Sequence, residues 1–162
     1  MSKQNKLRLC GIEPESIVDG PGFRYVVFVQ GCPHHCEGCH NPQSHSFEDG
    51  YLKDIDEIVD EIKENPLLSG VTFSGGEPFC QAEGLYNLAV KVKELNKNIY
   101  VYSGYTYEKL LEMAKNEPYK KKLLDICDVL IDGPFVLEKR DLTLLYRGST
   151  NQRIINLKEG SN

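Results

Sequence analysis

Short unbroken apolar runs alternate along this chain with stretches in which apolar residues recur at helical spacing. Residues 24–30, Arg-Tyr-Val-Val-Phe-Val-Gln, are rich in β-branched and aromatic side chains and read as a buried strand. Runs at 6–12, 70–74, 98–103, 127–131 and 153–157 read as further strands, and 31–53 as a long loop. Ile55, Ile58, Val59 and Ile62 fall at i, i+3, i+4 and i+7, one stripe of a helix opening at Asp54. Asp54 and Glu57 have the spacing of a capping box there. A second helix is expected from about 81 to 96, with Leu85, Leu88, Ala89, Val92 and Leu95 on one face. A third starts at Thr106, with Tyr107, Leu110, Leu111 and Ala114 turned inward. Lys120-Lys121-Lys122 reads as a solvated helix face.

Strands alternating with helices imply right-handed βαβ crossovers and a mostly parallel sheet. The fold class is α/β, either a partial (βα) barrel or an open sheet. With 162 residues, the chain is too short for a complete eight-unit barrel, which takes roughly 250. It reads as one domain over 1–162, with the tail from about 138 the least patterned part. In either architecture, functional loops follow the C-terminal ends of the strands. The unusual loops do so: Gly31-Cys32, Gly75-Gly76-Glu77-Pro78, Ser103-Gly104 and Asp132-Gly133-Pro134. Together they locate one site at one edge of the sheet.

Composition narrows the partners. Apolar residues are 40% and charged residues 27%, ordinary for a globular protein. A net charge of −5 disfavours general phosphate-backbone binding, so no nucleic-acid partner is expected. No stretch approaches the ~20 apolar residues of a membrane helix. No apolar segment follows the first six residues as a secretory signal would, so the expected location is cytoplasmic. Of the six cysteines, Cys32, Cys36 and Cys39 cluster, while Cys10, Cys80 and Cys127 are dispersed. In a reducing compartment, such clustering points to metal binding or catalysis rather than disulfides.

The cluster lies in Gly31-Cys32-Pro33-His34-His35-Cys36-Glu37-Gly38-Cys39-His40-Asn41-Pro42. Thiolates this close converge on one centre only if the backbone wraps it tightly, which Gly31, Gly38, Pro33 and Pro42 favour. A zinc site is one reading, with His34, His35 or His40 as fourth ligand, but structural zinc sites usually pair two ligand hairpins and the chain has no second cysteine pair. An iron–sulfur cluster fits better. Three cysteines leave one iron open to a reactant; Cys80 is the alternative fourth ligand. Cys10 and Cys127 read as ordinary buried cysteines. His34 and His35 read as exposed loop residues.

Cys-x3-Cys-x2-Cys after a strand, then Asn41-Pro42, then Gly75-Gly76-Glu77-Pro78, resembles the radical S-adenosylmethionine enzymes. The prefix Ser16-Ile17-Val18-Asp19-Gly20-Pro21-Gly22-Phe23-Arg24 narrows the resemblance to the activating enzymes of glycyl-radical proteins, and it extends to about Asp132. The small size resembles the members acting on anaerobic ribonucleoside-triphosphate reductase. The resemblance implies a 4Fe-4S cluster on Cys32, Cys36 and Cys39, with S-adenosyl-L-methionine chelating the open iron. One electron, from a flavodoxin or ferredoxin, then cleaves the cofactor to a 5′-deoxyadenosyl radical. That radical takes hydrogen from a glycine in a C-terminal loop of the partner. The resemblance places Gly38, Cys39 and His40 against the adenine and Gly75, Gly76 and Glu77 at the amino group. Ser103 and Asp132 end strands at the same edge and are further cofactor candidates; as a strand-end polar residue and a turn former they have plain structural readings too. Gly75-Gly76 likewise reads as a strand-to-helix turn. Asp19 to Gly22 and Arg24 border the region where the partner's loop would enter. Residues 43–53 carry no cysteine, so the inserted ferredoxin-like domain of larger relatives is absent. A radical enzyme acting on a small molecule, or a metal-binding module without catalysis, are the competing functions.

Overall fold

Alternation of apolar side chains folds the chain into one seven-stranded sheet, seen in a computed structural model that describes residues 5–34, 36, 44–141 and 143–158. The strands are β1 (Lys6–Ser16), β2 (Phe23–Val29), β3 (Tyr51–Asp54), β4 (Leu68–Gly75), β5 (Asn98–Tyr102), β6 (Val129–Asp132) and β7 (Arg153–Asn156). Their order is β3-β1-β2-β4-β5-β6-β7. The four central strands, β2, β4, β5 and β6, run parallel. β1, β3 and β7 add antiparallel edges. The result is a mixed α/β fold that is parallel where the helical crossovers occur. The helices are α1 (Ile55–Lys63), α2 (Ala82–Glu94), α3 (Tyr107–Ala114) and α4 (Pro118–Ile126). Among the described residues, no helix is long and apolar enough to cross a membrane.

Register decides what each face does. Paired residues of parallel strands share a face, and side chains alternate along each strand. Tyr25, Val27, Val71, Phe73, Ile99, Val101 and Leu130 therefore point one way and join the helices' buried stripes in a single core. Arg24, Thr72, Ser74, Tyr100 and Tyr102 point the other way. That second face is mixed, because Val26 and Ile131 share it with these polar groups. Thr72 Oγ1 donates to the Asp19 carbonyl at 2.8 Å, tying down the turn between β1 and β2.

Several expectations change here. The presumed loop 31–53 ends in β3, which pairs with Lys6 to Leu9 of β1. Four edge residues with half-exposed side chains carry no readable period. β1 runs on to Ser16 through a bulge, although Glu13 to Ser16 carry no apolar pattern. Asp54 is the N-cap of α1 but makes no side-chain cap bond, so the capping box does not form. Leu111 is 45% exposed, because α3 buries only its Leu110 and Ala114 edge.

Arg24 shows how the polar groups of this face are held. It is wholly buried and stacks over Tyr100, 4.4 Å from the ring centre. It donates to Thr72 Oγ1 at 2.8 Å, the Val71 carbonyl at 2.9 Å and the Pro21 carbonyl at 3.2 Å. Desolvation lowers its pKa, and nearby Tyr100 and Asp128 oppose that. It is thus a strut between the turn and the sheet rather than a surface group at the partner's loop. Arg24→Met removes these donors and strands buried carbonyls. A loss of about 2–3 kcal/mol in urea unfolding is expected, since hydrogen bonds to charged groups are worth about that much. A loss within 0.5 kcal/mol, roughly the scatter of surface substitutions, would refute the strut.

Candidate active site

The chain leaving β2 doubles back on itself. Gly31 N–H donates to the Ser44 carbonyl at 2.6 Å and Cys32 N–H to the His45 carbonyl at 3.1 Å. The loop's two ends are thus zipped together beside the end of β4. Gly76 N–H donates to the Val29 carbonyl and Glu77 N–H to the Gly31 carbonyl, each at 2.8 Å. The β2 and β4 loops therefore form one backbone unit. Above it lies a cavity of about 130 Å³, walled by Cys32, His34 and Cys36 from the first loop and Gly75 and Gly76 from the second. Tyr102, Ser103, Gly104, Gly133, Phe135 and Gln152 are also part of the wall. All four strand-end loops singled out in the sequence contribute to it.

Glu77 is the most constrained member of the site. It is fully buried and serves as N-cap of the short 3-10 turn Pro78–Gln81, accepting from Phe79 N–H at 3.0 Å. It also accepts from Ser103 Oγ at 2.9 and 3.0 Å and from Gly104 N–H at 2.8 Å. His34 Nε2 lies 2.6 Å from Glu77 Oε1, and its ring meets Tyr105 edge-on with centroids 4.5 Å apart. Three loops thus converge on one carboxylate, which satisfies the rule that a buried charge needs several partners. His34 is not the exposed loop residue expected, because Glu77 draws it in.

The glycines have a backbone reason. Gly75 adopts a φ of 93°, a conformation costly for other residues, and a Cβ there would lie 2.5 Å from Val29 N. A Cβ on Gly76 would lie 2.3 Å from the Gly31 carbonyl oxygen. A side chain at Gly75 would strike the end of β2, and one at Gly76 would strike the cysteine loop itself.

The remaining expectations divide. Gly38, Cys39 and His40 lie outside the described residues, as does His35. Asp132 does not line the cavity. Its register parity matches Leu130, so its side chain faces the helices. There it accepts from Tyr107 N–H at 2.8 Å, where α3 begins, and from Arg153 Nε at 3.0 Å, and it pairs with Arg153 Nη2. Its carboxylate holds β7 and α3 in place. Cys80 is exposed and is not part of the cavity wall. Desolvation of its sulfur, with the Glu77 charge, pushes the thiol up to about 11. Cys127 is fully buried, whereas Cys10 is only half-buried. Phe135 directly follows the Asp132-Gly133-Pro134 loop and Gln152 lies in the tail, and no sequence signal marked either.

Cys32 and Cys36 both line this cavity. Soft sulfur donors, a backbone pinned around them and glycine-lined space alongside suit an iron–sulfur cluster with a small ligand beside it. The resident group fits the residues present.

Comparison with known proteins agrees. The family of 4Fe-4S single cluster domains matches residues 18–155. The anaerobic ribonucleoside-triphosphate reductase-activating protein of Haemophilus influenzae is 38% identical over 90% of this chain and 95% of its own length. The protein of that name in Escherichia coli K12 is 30% identical over 90% of this chain and 96% of its own. That of enterobacteria phage T4 is 34% identical over 92% and 94%. The solved structure of QueE from Escherichia coli overlaps 62% of this chain and 53% of its own at 14% identity, with a TM-score of 0.49.

Proposed function

This chain belongs to the family of anaerobic ribonucleoside-triphosphate reductase-activating proteins, and from that premise we propose how its residues serve the activation. It is a radical S-adenosylmethionine enzyme that generates a glycyl radical on anaerobic ribonucleoside-triphosphate reductase. When bound, its 4Fe-4S cluster and S-adenosyl-L-methionine supply the one-electron chemistry that removes hydrogen from the glycine.

Cys32, Cys36 and Cys39 hold the cluster. Gly75, Gly76, Ser103 and the Glu77 carboxylate border the cofactor's amino group, and Gly38 and His40 its adenine. Glu77 would serve the cofactor through position: Ser103, Gly104 and Phe79 fix its buried carboxylate, and its neighbours Gly76 and Ser103 wall the cavity. Phe135 and Tyr102 wall the same space and keep water from it. We infer that the sheet corresponds to the partial (βα) barrel expected of this enzyme class. The hydrogen donor is a glycine in a C-terminal loop of the reductase, the electron donor a flavodoxin or ferredoxin, and the setting cytoplasmic.

One observation carries this reading: Cys32 and Cys36 share a cavity with Gly75, Gly76 and Ser103. The test is an anaerobic mixture of the reconstituted protein, S-adenosylmethionine, dithionite and the reductase, followed by electron paramagnetic resonance. A doublet on the reductase is expected, and it should vanish when the reductase's C-terminal glycine is changed to alanine. Release of 5′-deoxyadenosine with no radical on the reductase would refute the assignment.

A further inference from the structure

His34 belongs at once to the cysteine loop and to the group of donors around Glu77. It lines the cavity together with Cys32 and Cys36, although its side chain is only 16% exposed. Its Nε2 lies 2.6 Å from Glu77 Oε1, the shortest of the contacts around that carboxylate. Phe79, Ser103 and Gly104 all donate to the same carboxylate, which acts as an acceptor throughout, so Nε2 is the donor here. Glu77 itself is fully buried and is not among the residues lining the cavity. His34 and Ser103 are the two side chains that both hold Glu77 and line the cavity. Packing fixes the imidazole as well. A Cβ on Gly104 would lie 2.3 Å from His34 Cδ2, and Tyr105 meets the ring edge-on. The ring is therefore wedged between the cysteine loop that carries it and the loop after β5. The backbone bonds that pin the cysteine loop run from the N–H groups of Gly31, Cys32 and Glu77, and none of them uses this side chain.

Resting on the activating-enzyme reading above, we propose that His34 is a positioning residue for S-adenosyl-L-methionine. Through Glu77 it fixes Ser103 and Gly104 relative to the cysteine loop. Both belong to the cavity wall, so the shape of the wall opposite the cysteines depends on the imidazole. Cluster assembly does not depend on it, because assembly rests on thiolates and on the backbone bonds just named. The role asks for an N–H at the Nε2 position and involves no gain or loss of a proton. A hydrogen bond to a buried carboxylate is directional, so a side chain that fills the same space without donating cannot replace it.

The test compares His34→Leu, which fills space without donating, with His34→Gln, whose amide N–H can reach toward Glu77 as Nε2 does. Both full chains are reconstituted anaerobically. His34→Leu is expected to keep the iron and sulfide content of the unsubstituted protein. The S-adenosylmethionine concentration that half-saturates the cofactor-induced change in its reduced cluster's paramagnetic spectrum should rise roughly tenfold or more. In turnover the loss should appear in KM for the cofactor rather than in kcat, as for a group that acts alike on the bound and the reacting state. His34→Gln should recover most of the affinity. A second readout needs no cluster. Gly104 N–H donates to Glu77, so its hydrogen exchange in the cluster-free chain should quicken in His34→Leu and not in His34→Gln. The Asp128 amide, bonded to the Ile99 carbonyl, is the control. Unchanged half-saturation in His34→Leu overturns the proposal. So does loss of iron in that variant with normal affinity in the loaded fraction, which would make His34 a plain scaffold of the cysteine loop. Equal affinity losses in both variants overturn it too, because the donor would then be irrelevant. All three results leave the activating-enzyme reading intact if the unsubstituted protein still installs the reductase radical; absence of that radical overturns the reading itself.

Discussion

Replacing any one of Cys32, Cys36 or Cys39 by alanine is expected to abolish cluster assembly and reduce activation of the reductase to background. Each substitution removes one of three protein thiolates and leaves an iron without its ligand, and no spare thiol lies in the cavity wall among the described residues. Cys80 is the nearest challenger. It is exposed and lies outside the cavity wall that Cys32 and Cys36 share, which suits a bystander better than a ligand. Cys80→Ala should retain the cluster, as should Cys10→Ala. Cys127→Ala should retain it with a modest stability loss of about 1 kcal/mol, because it opens a small void in the core. Iron and sulfide content after anaerobic reconstitution, read beside the cluster's visible absorbance, decides between these outcomes. Cluster loss in Cys80→Ala equal to that in Cys32→Ala would mean a closed, four-thiolate centre and would remove the open iron.

The site was legible in the sequence to the extent that it depends on loops following strands. Gly31-Cys32, Gly75-Gly76-Glu77 and Ser103-Gly104 converge because parallel strands place their C-terminal ends at one edge, and that follows from order alone. Asp132 belongs to the same edge by order but not by parity. Whether a strand's last residue faces the helices or the open face depends on pairing register, and register is set by contacts made across the sheet. The place of His34 is illegible in the sequence for a related reason. Nothing in a run of Pro, His and His shows that a glutamate more than forty residues later will fix one imidazole within 2.6 Å. β3 and the wall residues Phe135 and Gln152 were hidden because they hold their places through neighbours rather than through their own pattern. The strands and helices that carry a full apolar stripe, such as β2 and α1, appeared close to the expected bounds.

Gly76→Val tests whether the glycine pair serves the ligand or the loop beneath it. The motif alone suggests that a side chain at Gly76 would occupy cofactor space and leave the cluster intact. The backbone contacts point elsewhere. A Cβ at this position meets the carbonyl oxygen of Gly31 at 2.3 Å and its carbonyl carbon at 2.8 Å, and Gly31 immediately precedes Cys32. Neither atom belongs to a side chain that could swing aside. The clash must push the cysteine loop away from β4 and break the Glu77-to-Gly31 hydrogen bond that joins the two loops. Overpacking of this kind typically costs about 1–3 kcal/mol. It should appear as loss of cluster assembly together with loss of S-adenosylmethionine binding, and Gly76→Ala should already show much of it. Gly11→Ala is the control, since a Cβ there meets nothing within 4 Å, and it should reconstitute normally. Full iron and sulfide incorporation in Gly76→Val, with no cofactor-induced change in the reduced cluster's paramagnetic spectrum, would assign the space above Gly76 to the cofactor and relieve the cysteine loop of the role assigned to it.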